Sequence, residues 1–183
     1  KDAKKISADA EKFDVIVGTS FLFSNESMRS SVDTLIIDEA GQLSLADSLA
    51  VSLAARNTVL VGDPQQLKQP TRAAHPSTSG LSGLEHINQG HDVVPPNYGV
   101  LLRVTRRMHP LITEFISEQV YEGKLGADDP CALQTIGEGG IVHGSGLRWV
   151  PVIHENCSVR SVPEVKAVVK IYESVLGRDF TDK

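Results

Sequence analysis

The sequence has no apolar run near the ~18 residues that a membrane-spanning helix needs, so it offers no transmembrane helix candidate. It shows no secretory leader pattern. Its two cysteines, Cys131 and Cys157, are far apart and neither sits in a Cys-x-x-Cys pair. Zinc-ribbon and dithiol redox chemistry are therefore unsupported, and a reduced, cytoplasmic setting is the default expectation. Positive charge is not in excess: 18 Lys and Arg against 23 Asp and Glu give a net charge of -5. This argues against bulk electrostatic attraction to nucleic acid and does not exclude a local basic groove. There are no internal repeats and no low-complexity tract. The first residue is a lysine within a charged, helix-like stretch, and the expectation is a piece of a longer protein. With 183 residues, 40% of them hydrophobic, the chain suffices for one domain or parts of two.

What is present begins with Leu35-Ile36-Ile37-Asp38-Glu39-Ala40-Gly41-Gln42. It reads as a buried strand that delivers two adjacent carboxylates to its end. A second such strand, Thr58-Val59-Leu60-Val61-Gly62-Asp63-Pro64-Gln65-Gln66-Leu67, also runs into an acidic loop. Two apolar strands ending this way describe the carboxyl edge of a parallel sheet, where open α/β folds bind ligands. An Asp-Glu pair there suits a magnesium nucleotide, with Asp38 holding the metal and its waters and Glu39 taking a proton from an attacking water.

The rest of the chain is organised around these strands. Residues 1–12 read as the end of a helix, and Phe13 to Val17 as a strand stopping at Gly18-Thr19-Ser20. Ser44 caps a helix to about Ala55, with Leu45, Leu49 and Leu53 as its apolar stripe. Residues 68–98 are rich in Gly, Ser, Pro, His and Asn and read as a long surface connection, with a short helix over Leu81 to Ile87. Val100-Leu101-Leu102 is a short strand, and Pro110 opens a helix to about Tyr121 with Ile112, Phe115, Ile116 and Val120 on one face. After a Gly-rich loop, Leu147 to Ile153 reads as a strand in which Pro151 marks an edge or a bulge, with Trp149 read as a core residue over its alternative, a base-stacking platform. A last helix starts at a capping box of Ser161 and Glu164, with Val165, Val168, Val169, Tyr172, Val175 and Leu176 as its stripe.

Several residues admit two readings. Gly62 permits close backbone approach; Gln66 offers a neutral amide to a phosphate or a water; Asp63 is a candidate ligand or a plain turn residue. Arg106 and Arg107 precede a helix start, where anions are favoured and arginine binds phosphate with two parallel hydrogen bonds. The alternative is a solvated basic turn. His109 at a helix start reads as a cap or packing residue over its alternative, a base, and His75, His86, His91, His143 and His154 have no ligand spacing.

Taken together, Asp38-Glu39-Ala40-Gly41-Gln42, Gly62-Asp63-Pro64-Gln65-Gln66-Leu67 and Arg107-Met108-His109-Pro110, followed by Phe115-Ile116-Ser117-Glu118 and Val120-Tyr121-Glu122-Gly123-Lys124-Leu125, resemble helicase superfamily 1. The likeness is to the branch holding the nonsense-mediated-decay RNA helicase and the Okazaki-fragment nuclease-helicase. Ser44 to Arg56 and the insertion from His75 to Pro96 resemble bacterial proteins that join a RecB-like nuclease to such a helicase. The resemblance runs from about Val15 to Val175.

It implies an α/β fold, a fragment of tandem RecA-like P-loop NTPase domains with parallel sheets and ATP between them. Residues 1–100 would be the C-terminal half of the first domain and 101–183 the start of the second. Asp38 would hold Mg²⁺ through water, Glu39 would be the general base, Gln66 would sense the γ-phosphate and Arg107 would reach it. Asp63 and Arg106 would join Asp38 in contacting the nucleotide, and Thr19 and Ser20 would grip a phosphate of single-stranded DNA or RNA, Ser20 with a plain helix cap as its alternative. Family resemblance also implies 5′-to-3′ polarity. Two departures stand out. Thr105 and Arg106 replace the family's Gln-Tyr, which makes Arg106 a second candidate for the phosphate. No Gly-x-x-x-x-Gly-Lys-Ser/Thr occurs anywhere, so the amide cradle and its lysine are expected from the rest of a parent chain, together with the later motifs. The chain alone is expected not to hydrolyse ATP. A nucleotide-dependent binding switch and the feeder part of a nuclease-helicase are the rival readings.

Overall fold

The computed structural model describes residues 3–67 and 80–182. The chain forms two compact units, Lys1–Val100 and Leu101–Lys183. The fold is α/β.

The first unit is built on two parallel strands, β1 (Val32–Ile37) and β2 (Ala55–Leu60), in the register Val32↔Ala55 through Ile37↔Leu60. Between them runs α3 (Leu45–Ser52), which follows α1 (Ala3–Ala8) and α2 (Ser20–Phe23). Ser44 starts α3 as its pattern predicts, its side chain accepting a hydrogen bond from the Asp47 amide. Leu35 and Ile37 alternate inward along β1. With Phe23, Met28, Ala40, Val51 and Ala54 they form the core.

The burial on α3 departs from the expected stripe. Leu49 and Leu53 are exposed, and the face turned inward carries Ser48 and Val51. Small residues win there because α4 (Gly83–Asn88) approaches closely: a Cβ on Gly83 would lie 2.4 Å from Ser48 Oγ. α4 itself carries a complete capping box, Ser82 with Glu85. The strand expected over Phe13 to Val17 is not formed. That stretch pairs with no strand among the described residues, and Val17 is 90% exposed. An apolar run becomes a strand only where a partner offers a ladder. Part of the long connection, residues 68–79 with His75, lies outside the described residues, as does Lys1.

The second unit contains α5 (Pro110–Val120) and α6 (Val162–Val175), a parallel pair β3 (Val104–Thr105) with β4 (Gly126–Ala127), and an antiparallel pair β5 (Thr135–Ile136) with β6 (Phe180–Thr181). The first strand thus falls at 104–105, not at 100–102. His109 caps α5, its Nδ1 accepting from the Leu111 amide, and Pro110 occupies the first turn. The buried residues of α5 are Thr113 and Ser117, whereas Phe115 is exposed. Residues 147–153 form no strand, and Trp149, expected in the core, is 89% exposed. Pro151 withholds a ladder donor there. α6 starts at Ser161, whose side chain accepts from the Glu164 amide. The Glu164 carboxylate does not close the box: it pairs with His154 Nε2 at 2.6 Å. The apolar stripe of α6 is present in sequence, yet none of its residues is buried. Among the described residues no helix is long and apolar enough to cross a membrane.

Candidate functional site at the carboxyl edge of β1 and β2

Parallel pairing brings the carboxyl ends of β1 and β2 to one edge, and the two acidic loops follow directly. The ladder continues past both strands. The Val61 amide donates to the Ile37 carbonyl at 2.8 Å, and the Ala40 amide donates to the Val61 carbonyl at 2.9 Å. Residues 38–42 and 61–66 are therefore stitched to each other through backbone.

Two glycines make that closeness possible. A Cβ on Gly62 would stand 2.8 Å from the Ala40 nitrogen and 3.0 Å from the Gly41 nitrogen. A Cβ on Gly41 would stand 2.6 Å from the Asp63 carbonyl oxygen. The role read for Gly62 holds; Gly41 was not singled out from sequence, although its position beside the acidic pair was the available signal.

The carboxylates occupy this edge in an ordered way. Asp38 Oδ1 accepts from the Glu39 amide at 3.0 Å, and Glu39 Oε2 lies 3.5 Å from Gln42 Nε2. Glu39 has φ 54° and ψ 40°, a left-handed conformation that a glutamate adopts only at a cost. On the facing loop Asp63 Oδ1 accepts from the Gln65 amide at 2.9 Å, and Gln66 Nε2 lies 3.4 Å from Asp63 Oδ2. Asp38, Glu39 and Gln66 are exposed and Asp63 is half-buried. Four of the predicted site residues, Asp38, Glu39, Asp63 and Gln66, thus share one edge.

The other four lie on other elements of the chain. Thr19 is the N-cap residue of α2 and makes no side-chain cap hydrogen bond; Ser20 is the first helical residue, not the cap. Arg106 and Arg107 belong to the second unit, in the turn between β3 and α5. Arg106 Nε pairs with Asp128 Oδ2 at 3.3 Å, and Gln134 Nε2 donates to the Arg107 carbonyl at 3.0 Å while the Arg107 side chain is exposed.

The donor set at the edge is hard oxygen, which fits Mg²⁺. No group of three or more His, Cys, Asp or Glu side chains able to hold a metal occurs among the described residues. Mg²⁺ keeps several waters and takes one or two protein carboxylates plus substrate phosphates. Among the described residues the edge offers no glycine-rich amide cradle of its own for those phosphates.

Comparison with known proteins gives the same direction. Residues 2–72 match the AAA domain family, whose members are RecA-like P-loop folds. Over 106 residues the chain is 34% identical to the probable helicase MAGATAMA 3 of Arabidopsis thaliana, covering 56% of this chain and 12% of that protein. It is 32% identical over 94 residues to helicase SEN1 of Saccharomyces cerevisiae, 51% of this chain and 4% of that protein. It is 34% identical over 118 residues to the ATP-dependent helicase NAM7 of the same yeast, 62% of this chain and 12% of that protein. The matched stretch is thus a small part of each relative's length. Each of these relatives is named a helicase.

Proposed function

We propose that the chain is part of an ATP-dependent helicase or translocase motor acting on single-stranded DNA or RNA. In this reading Lys1–Val100 is the C-terminal half of a first RecA-like domain and Leu101–Lys183 begins a second. Within the superfamily we place it, on Ser44 to Arg56 and the insertion 75–96, with the helicases joined to a RecB-like nuclease. One observation carries the motor reading: the backbone stitch between the loops after β1 and β2, which places Asp38, Glu39, Asp63 and Gln66 at one sheet edge.

Asp38 is the residue that would hold Mg²⁺ through water, with Asp63 beside it. Bound Mg²⁺ supplies charge neutralisation and orientation of the phosphates. Glu39 orients the attacking water and accepts its proton. Its carboxylate sits one residue beyond Asp38, so metal ligand and base are fixed by the same turn. Gln66 carries no charge and can donate to a γ-phosphate oxygen or accept from the water, which suits a sensor of the phosphate. In the second unit, Arg106 is engaged by Asp128, which favours Arg107 as the guanidinium for the phosphate. The hydroxyl of Thr19 is not spent on capping α2, and it is assigned to a phosphate of the strand. The phosphate cradle comes from outside this sequence, so turnover belongs to the full-length protein and not to this chain alone.

The test is ATP turnover by the full-length protein, with and without single-stranded DNA or RNA, for wild type and Glu39→Gln. A general base contributes typically ~10²–10⁴-fold. Strand-stimulated turnover that falls by this factor, with nucleotide binding retained, is the expected result. Turnover that survives in Glu39→Gln would refute the assignment of the base, and no turnover with either strand would favour a binding switch.

A further inference from the structure

We infer that Asp92, outside every recognised motif, is a positioning residue that holds the Gln65–Gln66 loop in place. The inference rests on the reading of Gln66 as the phosphate sensor. Asp92 Oδ1 accepts a hydrogen bond from Gln65 Nε2 at 2.8 Å, across 27 residues of sequence. The Asp92 carbonyl lies 3.5 Å from the same nitrogen.

The two ends of this link are held very differently. Asp92 sits between anchored neighbours. On one side the His91 amide donates to the Asn88 carbonyl at 3.1 Å and the His91 carbonyl accepts from the Asn88 side chain, itself 3% exposed; on the other, Val93 is buried. α4, which ends at Asn88, is bolted to the segment around α3. The Leu45 amide donates to the Leu81 carbonyl at 3.0 Å, and the Gly83 amide donates to the Leu43 carbonyl at 3.2 Å. Gln65, exposed like Asp92, is in a loop whose bonds from the Gln65 and Gln66 amides to Asp63 stay within the loop itself. An open cleft of about 290 Å³ adjoins it, lined in part by Pro64, Gln65, Glu85, Asn88 and Asp92. Residues of the loop and of α4 line it together, and the Gln65–Asp92 bond joins the two sides. Gln66 follows Gln65 directly, so the set of the loop is also the set of the sensor.

A hydrogen bond of ordinary net worth changes the population of the arrangement it holds by a factor of about 2–10. The expected effect of breaking the link is therefore a fall of about 2–10-fold in kcat, with KM for ATP little changed, because Asp92 acts on the loop and not on bound nucleotide. Asp92→Asn keeps an acceptor oxygen for Gln65 and should restore most of the loss.

The experiment uses the full-length protein with ATP and single-stranded DNA or RNA. Turnover is measured for wild type, Gln66→Ala, Gln65→Ala, Asp92→Ala, Asp92→Asn and the Gln65→Ala/Asp92→Ala pair. Amide hydrogen exchange of the 62–67 segment is followed in each. Support consists of a reduced kcat in Asp92→Ala, recovery in Asp92→Asn, a double variant no worse than the weaker single one, and faster exchange of 62–67 in Asp92→Ala. If Gln66→Ala is impaired while Asp92→Ala matches wild type, or if Asp92→Asn is as impaired as Asp92→Ala, the inference is overturned and the function stands. If Gln66→Ala turns over normally, the sensor assignment fails, and exchange still decides the link: unchanged exchange in Asp92→Ala would overturn it.

Discussion

Replacing Gly62 with alanine tests the site where its geometry is tightest. The new Cβ would stand 2.8 Å from the Ala40 nitrogen, 3.0 Å from the Gly41 nitrogen and 3.4 Å from Ala40 Cα. All three are backbone atoms, so no flexible side chain can swing aside. The turn after β1 and the turn after β2 must separate by about half an ångström to restore ordinary contact. Overpacking of this kind costs typically ~1–3 kcal/mol. For a domain of 60–100 residues each kcal/mol lowers the unfolding midpoint by about 4–8 °C. The chemistry should suffer as well, since misplacement by 1 Å can cost about 10²-fold and half that distance about 10-fold. Gly126→Ala is the control. Its Cβ would have the Arg103 carbonyl as its nearest neighbour, at 3.8 Å, and the backbone there is not left-handed. It should be neutral or stabilising by up to ~1 kcal/mol. The assay is thermal unfolding and strand-stimulated ATP turnover of the full-length protein for wild type, Gly62→Ala and Gly126→Ala. A Gly62→Ala midpoint within a degree of wild type, with turnover within two-fold, would show that the two turns are not in the close contact described.

Two further outcomes follow from particular residues. Glu39→Gly should be more stable than Glu39→Ala by about 1 kcal/mol, because only glycine takes a φ of 54° without a steric cost, while both variants lose turnover; urea unfolding that ranks the alanine variant higher would contradict the left-handed conformation. Thr113 is buried, and Thr113→Val removes a hydroxyl that lies 3.3 Å from the Met108 carbonyl and 3.2 Å from the His109 carbonyl. It keeps the volume and should cost ~1 kcal/mol, read as a lower unfolding midpoint, and an unchanged midpoint would mean that this hydroxyl does not brace the arginine turn.

Elements whose signals are local were legible in the sequence, and elements that depend on distant partners were not. β1, the Ser44 cap of α3, α4, the His109 cap of α5 and the length of α6 all follow from residues within a few positions of one another. Phe13 to Val17 and residues 147–153 have the composition of strands, but a strand exists only with a ladder partner, and none pairs with them among the described residues. Apolar stripes were read as burial. On α3 the buried positions are Ser48 and Val51, since close approach of α4 selects small side chains over leucines. At the candidate site, the pairing of the two acidic loops could be anticipated, because both follow apolar strands of a parallel pair. The Gln65–Asp92 link could not, since it joins side chains 27 residues apart with no periodicity to betray them.

The features at the end of β1 are more economical as parts of one device than as separate accidents. A left-handed glutamate costs about 1–2 kcal/mol that a glycine would avoid. Gly41 and Gly62 each forgo a side chain, with the entropic penalty that glycine carries in the unfolded chain. A turn chosen for stability alone would place glycine at position 39 as well as at 41 and 62. The chain does so only at the last two: the glycines stand where backbone must touch backbone, and the carboxylate occupies the strained position. Strain of this kind persists only where the surroundings fix it, and it concentrates at functional sites. Here the surroundings are identifiable as the Ala40-to-Val61 and Val61-to-Ile37 hydrogen bonds, which hold the residue after Glu39 to the partner strand. The cost of the left-handed turn is thus met by the parallel ladder. That is why the proposed base depends on Gly62, 23 residues away, as much as on its own side chain.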